Sequence, residues 1–244
     1  MRAAAASREV VLKEVRAAFE YEPRINLHRF PIHVDFVEDD LVLEGEVENI
    51  AAKKLALELA GAQPGVRGIV DRLRVTPSAH MGDAEIRDHV RDALLQEPAL
   101  ETCSIRARVK NTMETYREPP EASGDILIEV KDGVVTLNGQ VPSLSHKRLA
   151  GVLVWWVPGT RDVINGLEEV PPEEDNDDEV TDAVRLVLEK DPFVNADQIR
   201  VSTQDYVVKL EGLVPSEEMK EIAEFDAWYV FGVDKVVDRL LVQH

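Results

Sequence analysis

The sequence has a single cysteine, Cys103, among its 244 residues. One thiol can form neither an internal disulfide framework nor a metal site with several thiolate ligands. No apolar run approaches the roughly 18 residues that a membrane-spanning helix needs, and no secretory signal or lipid-anchor pattern is visible near the start. A cytoplasmic protein is therefore expected, and peripheral association with a membrane stays open.

Positive charge is scarce, since 28 Lys and Arg residues stand against 47 Asp and Glu residues, a net charge of −19. General nucleic-acid binders neutralise phosphates with cations, so this balance argues against a nucleic-acid partner. The negative charge is concentrated late in the chain. Residues 168–244 hold seven basic and 21 acidic side chains, and the stretch 168–182 holds nine acids and no base.

Patterns of catalytic chemistry are missing as well. The six histidines show no metal-ligand spacing with Cys103. The sequence has no nucleophile elbow and no phosphate-binding Gly-Lys-Ser/Thr loop. We therefore expect no catalytic, cofactor-binding or metal-binding residues, no cofactor, and a protein that is not an enzyme.

An internal repeat organises what is present. The motif Leu-x-Gly-x-Val occurs three times, centred on Gly45, Gly139 and Gly212. The same offsets of 94 and 73 residues align a second glycine, at Gly65, Gly159 and Gly232. Because the offsets hold over a whole stretch, the chain contains three copies of one structural module, named copies 1, 2 and 3 below.

Each copy has the same order of helical and strand patterns. An amphipathic helix with apolar residues at i, i+4 and i+8 comes first, then two alternating strands, a second helix and a last strand. The predicted N-caps are Ser7, Asp83 and Asp178 for the first helices and Asn49, Ser143 and Ser216 for the second. The predicted fold class is α+β: three tandem small α-β-β-α-β two-layer domains, each with two helices on one face of a three-stranded mixed sheet.

The predicted domains span residues 7–76, 83–170 and 178–243. Copy 2 is longer, and the composition of its extra residues predicts an inserted solvated loop at about 103–125. The hairpin turns also differ, because the turn glycine of copy 2 is replaced in the other copies. Asp39-Asp40 in copy 1 and Asp205-Tyr206 in copy 3 predict a different turn geometry.

The most regular stretch runs from Ile128 to Val141 and reads Ile-x-Val-x-Asp-Gly-Val-Val-Thr-Leu-x-Gly-x-Val. Ser143 and a Pro-Gly-Thr-x-x-Val-Ile-Asn segment, 158–165, follow it. In these residues the chain resembles the BON family, named after bacterial osmotically induced and nodulation proteins, as three copies over nearly its whole length. The resemblance implies a small α-β-β-α-β domain in non-enzymatic envelope or stress proteins, some of which are proposed to bind anionic phospholipids through a helix.

The second helices of copies 2 and 3 carry an aromatic stripe that a helical wheel places outside the predicted core face. Its members are Val152, Trp155 and Trp156 in copy 2, and Phe225, Trp228 and Tyr229 in copy 3. The matching residues of copy 1 are Glu58, Gly61 and Ala62. A patch of this size is expected to be covered, and three interpretations stay open. The two stripes pack on each other, bind another protein or a second chain, or insert into a membrane.

Basic residues beside the stripe bear on these alternatives. Between Val141 and Leu167, copy 2 has Lys147, Arg148 and Arg161 against one acid, a local charge of +2, whereas the matching stretch of copy 3 has −4. Copy 2 is thus the one suited to an anionic leaflet or an acidic partner. We expect a non-catalytic, stress- or envelope-associated binding or scaffold protein that acts through protein–protein contacts or self-association. The alternative is a peripheral phospholipid-binding protein that contacts anionic membranes through copy 2.

Overall fold

The computed structural model describes residues 8–243. They fall into two compact units, one that ends at Thr76 and one that begins at Pro77. Copy 1 forms unit 1, and copies 2 and 3 together form unit 2. Ser7, predicted to cap the first helix, lies outside the described residues.

Copy 1 follows the predicted α-β-β-α-β order. Its elements are α1 (Arg8–Tyr21), β1 (His33–Val37), β2 (Asp40–Val47), α2 (Ile50–Gly61) and β3 (Ile69–Val75). The sheet order is β1-β2-β3, in which β1 and β2 are antiparallel and β2 and β3 are parallel. Both helices bury an apolar face, with Val11, Val15 and Phe19 of α1 at most 1 % exposed. The i, i+4, i+8 spacing puts these three side chains on one side of the helix.

Copy 2 contains the same elements and two more strands. Its elements are α3 (Asp83–Gln96), β4 (Cys103–Val109), β5 (Thr112–Arg117), β6 (Gly124–Lys131), β7 (Val134–Val141), α4 (Leu144–Trp155) and β8 (Asp162–Glu169). The prediction of a loop at 103–125 and of a three-stranded sheet is wrong here, because the sheet has five strands in the order β5-β4-β6-β7-β8. β4 pairs in parallel with β6, and its Cys103, Ile105 and Ala107 are fully buried. Because alternate residues of this inserted segment are apolar and buried, the segment forms a strand of the sheet.

Copy 3 returns to the simple pattern. Its elements are α5 (Asp177–Lys190), β9 (Ile199–Gln204), β10 (Val207–Val214), α6 (Glu217–Tyr229) and β11 (Lys235–Val242). The strand order is β9-β10-β11, with β9 antiparallel and β11 parallel to β10. The α+β class predicted from the repeat is confirmed in all three copies.

The second helix of each copy begins as predicted. The side chains of Asn49, Ser143 and Ser216 each accept a hydrogen bond from the backbone N–H three residues later. The two described caps predicted for the first helices are wrong. Gly82 precedes α3, and the Asn176 side chain caps α5.

The carboxylate at the start of the first helix instead holds the hairpin turn. In copy 2, Asp83 accepts hydrogen bonds from the backbone N–H groups of Asp132 and Gly133, both at 2.9 Å. In copy 3, Asp177 does the same for Asp205 and Tyr206, again at 2.9 Å. We call this joint the turn clamp.

The turn clamp explains why copy 3 keeps the turn geometry of copy 2 without a glycine. Asp205 and Tyr206 have φ angles of 50° and 59°, and the copy 2 turn has 54° and 76°. A left-handed tyrosine is costly, and two charge-assisted hydrogen bonds from the turn amides compensate for that cost. The predicted change of turn geometry is therefore wrong for copy 3.

In copy 1 the first helix is also joined to the hairpin turn, but the helix supplies a cation and the turn supplies the carboxylate. Arg8 stands at the position of Asp83, and its guanidinium donates to the Asp39 carboxylate at 3.0 Å. Among the described residues of this turn, Glu38 alone has a positive φ, of 54°. The turn of copy 1 thus does differ, as its sequence predicts.

The glycines of the repeated motif are required by the neighbouring strand. Gly139 and Gly212 have φ angles of 122° and 153°, and a Cβ at either would lie 2.0 Å from a backbone carbonyl oxygen. Those oxygens belong to Asp125 and Gln198. Asp125 lies in the adjoining strand β6, and Gln198 directly precedes the adjoining strand β9, so the backbone beside each glycine leaves no room for a side chain.

Candidate functional site

The aromatic stripes of copies 2 and 3 meet inside unit 2. The ring of Trp155, at the end of α4, stacks on that of Tyr229, at the end of α6, with 5.6 Å between centroids and 17° between planes. Offset stacking of this kind adds about 0.5–1.5 kcal/mol to the area that the rings bury. The contact between these two copies is named the docking seam.

A hydrogen bond crosses the docking seam beside this stack. The indole N–H of Trp156 donates to Asp226 Oδ1 at 2.8 Å, and Asp226 is 2 % exposed. Burial, helped by the nearby Asp191 carboxylate and opposed by the Trp156 hydrogen bond, raises the pKa of Asp226 to about 8. Burial and the charge of Asp226 raise the pKa of Tyr229 to about 12. The seam therefore encloses a carboxyl group that is neutral below about pH 8.

Arg148 lies in the docking seam and not on a surface. Its side chain is 1 % exposed, its Nη2 bonds Asp175 Oδ1 at 2.6 Å, and its Nε donates to the Phe231 carbonyl at 2.9 Å. The expectation that Arg148 meets a lipid or an acidic partner is wrong, because its side chain is buried and its Nη2 and Nε are bonded to Asp175 and Phe231 of this chain.

The other two basic residues that were predicted to contact a lipid or an acidic partner, Lys147 and Arg161, also make contacts within this chain. Lys147 pairs with Glu169 at 3.2 Å and lies over the Phe231 ring at 5.2 Å from its centroid. Arg161 is half-buried beside Gly133, whose carbonyl accepts its backbone N–H at 2.9 Å. Copy 2 does not present these three residues together as a cationic patch for a leaflet.

Burial also removes two members of the predicted interaction surface. Val152 and Trp228 are fully buried, and the Trp228 indole N–H donates to Glu224 at 3.3 Å. Phe225, Trp155, Trp156 and Tyr229 are half-buried. A partner cannot reach Val152 or Trp228 while copies 2 and 3 remain docked, so the predicted surface is corrected at these positions.

An ion pair closes the seam at another place. Lys190, at the end of α5, contacts both carboxylate oxygens of Glu97 at 2.8 and 3.0 Å, and Glu97 is 7 % exposed. Leu186 of α5 packs against the core of copy 2. Sequence reasoning missed Glu97, Lys190, Asp191 and Asp226, since nothing in the sequence pairs residues of two different copies.

The sheet of copy 3 has an exposed face that carries a different chemistry. Alternation along its strands turns Val208, Leu210, Val236 and Leu240 towards α5 and α6. The opposite face holds the cations Arg200, Lys209, Lys235 and Arg239 with one acid, Glu211. Four of the seven basic residues in the acidic stretch 168–244 thus share one sheet face, named the open face of copy 3.

Cross-strand register brings these charges together. Glu211 pairs with Arg200 on one side and Arg239 on the other, and its carboxylate contacts Lys209 Nζ at 3.0 Å. The hydrogen bond from Lys209, followed by the charges of Lys209, Arg200 and Arg239, lowers the pKa of Glu211. The open face keeps three positive charges after Glu211 is counted.

Two exposed leucines adjoin the cations. Leu213 and Leu241 are register partners on β10 and β11, with 54 % and 65 % of their surface exposed. Strand neighbours lie about 4.8 Å apart, so the two side chains form one apolar contact. The matching pairs are Gln140 and Glu168 in copy 2, and Glu46 and Arg74 in copy 1. The combination of cations and paired leucines is therefore particular to copy 3.

Residues 8–243 lack the features of two other classes of protein. No group of His, Cys, Asp or Glu side chains in this range is arranged to hold a metal ion. No helix in the same range has the length and apolar character needed to cross a bilayer.

The C-terminal domain of CdsD, a structural protein of the type III secretion system of Chlamydia trachomatis, is 13 % identical to this chain, with a TM-score of 0.24. The match covers 98 % of this chain and all of that domain. A second CdsD structure is 13 % identical, covers 96 % of this chain and 92 % of its own, and has a TM-score of 0.25. Scores this low support no inference about function. No curated protein sequence matches the chain.

The family model of the BON domain matches three stretches, residues 7–77, 102–171 and 176–244. The three matches follow the internal repeat and include the hairpin, second helix and last strand of every copy. They account for most of the sequence. The chain therefore belongs to the BON domain family, as a protein with three tandem copies.

Proposed function

We propose that this chain is a non-catalytic, stress- or envelope-associated scaffold, located in the cytoplasm, that acts through protein–protein contacts of three BON domains at residues 7–76, 83–170 and 178–243. Copies 2 and 3 act as one body, and the open face of copy 3 is the surface that meets the partner. The observation that carries the proposal is the charge and exposure of this face. Three surplus cations and two paired leucines lie exposed in the most acidic part of the chain.

The docking seam supports a scaffold because it fixes this surface in place. The Trp155–Tyr229 stack and the Trp156–Asp226 hydrogen bond join the helices that follow β7 and β10, each of which is an interior strand of its sheet. Side chains that sequence reasoning assigned to a partner thus orient the two domains. A binding face held in this way loses less entropy when a partner binds.

Binding of anionic phospholipid through copy 2 is the weaker alternative. That reading depended on Lys147, Arg148 and Arg161 as lipid contacts, and the first two are paired with Glu169 and Asp175. We therefore give no second function to copy 2.

Site-specific photo-cross-linking in the host cell tests the proposal. A photoreactive amino acid replaces Leu213 in the full chain, and a matched variant carries it at Gln140, the exposed equivalent in copy 2. We expect discrete protein adducts from position 213 and none from position 140. Adducts to lipid alone, no adducts, or equal adducts from both positions would contradict the proposal.

A further inference from the structure

We infer that the protein bound by the open face of copy 3 is a second copy of this chain, which contributes its acidic linker at residues 168–174. This inference rests on the proposed function, since it names the partner of the same surface. The contact is head-to-tail, with the face of one molecule against the linker of the next.

The linker has the chemistry that the open face lacks. It consists of the last two residues of β8 and the first five of the segment that leads to α5. It reads Glu-Glu-Val-Pro-Pro-Glu-Glu, with four acids and no base. Glu168, Glu173 and Glu174 are exposed, as are both prolines. Val170 is exposed by 50 %. The segment therefore presents apolar groups between two acidic ends.

The two surfaces match in charge and in apolar character. Three surplus positive charges face three exposed carboxylates, those of Glu168, Glu173 and Glu174. Glu169 already pairs with Lys147 of its own chain. The exposed Val170 and the two prolines offer an apolar contact to Leu213 and Leu241. Charges more than about 8–10 Å away are screened at physiological salt, so these local charges outweigh the net repulsion between two acidic chains.

The other copies do not offer an equivalent face. At the positions of Arg200, Glu211 and Arg239, copy 2 has Leu127, Asn138 and Gly166, and copy 1 has His33, Glu44 and Arg72. One face and one linker for each molecule make the contact heterologous. Such contacts either close into a ring or extend into a chain of molecules.

Sedimentation velocity of the full chain over a range of concentrations tests the inference. At about 150 mM salt, where the long-range repulsion is screened, we expect mass to grow with concentration, and to fall as salt is raised towards about 1 M, where the local charges are screened as well. The double variant Lys209→Glu, Arg239→Glu should weaken self-association at least about tenfold, which equals 1.4 kcal/mol. Arg72→Glu, at the equivalent of Arg239 in copy 1, should leave it unchanged. A chain that stays monomeric throughout would overturn the inference.

A charge exchange makes the test independent of folding defects. The linker variant Glu168→Lys, Glu174→Lys should also fail to self-associate, because its linker now repels the face. Mixed in equal amounts, the face variant and the linker variant should associate again, since each now offers the other a complementary surface. A mixture that remains monomeric, or binding of the wild type to anionic phosphatidylglycerol vesicles in place of self-association, would overturn the inference. Cross-links from position 213 to a different protein, in a chain that is monomeric, would leave the proposed function standing and remove this inference alone.

Discussion

Copy 1 and the docked pair of copies 2 and 3 share one module and differ in the residues at the end of its second helix. Trp155 and Tyr229 stack on each other in the docking seam. In copy 1, Gly61 stands at the position of Trp155, and Ala62 stands at the position of Tyr229. Copy 1 lies in a compact unit of its own, while the other two share one. A few side chains at the end of the second helix thus distinguish copies 2 and 3, which dock on each other, from copy 1.

One lysine position shows how copy 2 makes a contact with copy 3 while it keeps the fold of the module. Lys53 in copy 1 pairs with Asp71 at 2.8 Å, and Lys220 in copy 3 pairs with Asp238 at 3.5 Å. In copy 2 the acid is replaced by Asn165, whose amide donates to the Lys147 carbonyl at 2.8 Å. Lys147 therefore pairs with Glu169 and lies over the Phe231 ring of copy 3. Loss of one internal ion pair redirects a cation to the seam.

Replacing Trp228 by alanine should have the largest effect on the stability of unit 2. A fully buried tryptophan leaves a large cavity, so the free energy of unfolding of unit 2 should fall by about 3–5 kcal/mol. All three tryptophans of the chain lie in unit 2, and urea unfolding followed by the fluorescence of the remaining two measures this unit. A loss below about 1 kcal/mol would show that Trp228 is an interaction residue and not a core residue.

The buried acid of the seam should make docking depend on pH. The pKa of Asp226 is about 8 in the folded chain against 3.8 for a free carboxyl, so the folded state holds a proton that the unfolded state releases. Stability therefore falls as pH rises from about 4 to 8, by at most about 1.4 kcal/mol for each pH unit. Asp226→Asn keeps the acceptor for Trp156 and removes this loss.

Urea unfolding at about pH 5 and pH 8 checks this prediction. We expect the Asn variant to gain stability relative to the wild type at the higher pH. Asp178→Asn, an exposed position on α5, is the control that should show no such gain. Parallel pH profiles for wild type and Asp226→Asn would refute the assignment.

The stack between Trp155 and Tyr229 should contribute a smaller, measurable coupling. In a double-mutant cycle with Trp155→Ala and Tyr229→Ala, we expect an interaction energy of about 0.5–1.5 kcal/mol. Chemical unfolding of the four proteins gives this value. Strictly additive effects would mean that the rings do not support docking directly.

The smallest effect on stability should come from a substitution in copy 1. Gly61 is the last residue of α2, and a Cβ there would lie at an ordinary 3.7 Å from Ile69. Gly61→Ala should stabilise α2 by about 0.5–1 kcal/mol, because glycine is a poor helix former. Hydrogen exchange of the amides at 50–61 measures it. Gly151→Ala is the matched control in α4, where a Cβ would lie 2.9 Å from Asn165, and should give no gain.

The fold could be predicted because the module repeats. Glycine offsets aligned the three copies, and local patterns identified the caps at Asn49, Ser143 and Ser216. Strand β5 was not predictable, since its Thr112, Met113 and Glu114 are exposed and lack an apolar alternation. The exposed part of this strand is held by its pairing with β4, and Tyr116 near its end packs against the core.

The candidate sites were only partly visible in the sequence. The helical wheel predicted that Trp155 points away from its own core, and it stacks on Tyr229. The open face of copy 3 was hidden, because its cations lie on three different strands. Register alone brings Arg200 and Arg239 to either side of Glu211. No single-strand pattern contains that information.

The turn clamp bears on how relatives of this module should be recognised. It links residues 28 to 50 positions apart, by a carboxylate on two amides in copies 2 and 3 and by a guanidinium on a carboxylate in copy 1. All three copies keep a connection between the first helix and the hairpin turn, although the charge at the helix residue differs between copy 1 and the other two. A comparison by residue identity at that column would score Arg8 and Asp177 as unrelated, although both fasten the hairpin to the helix.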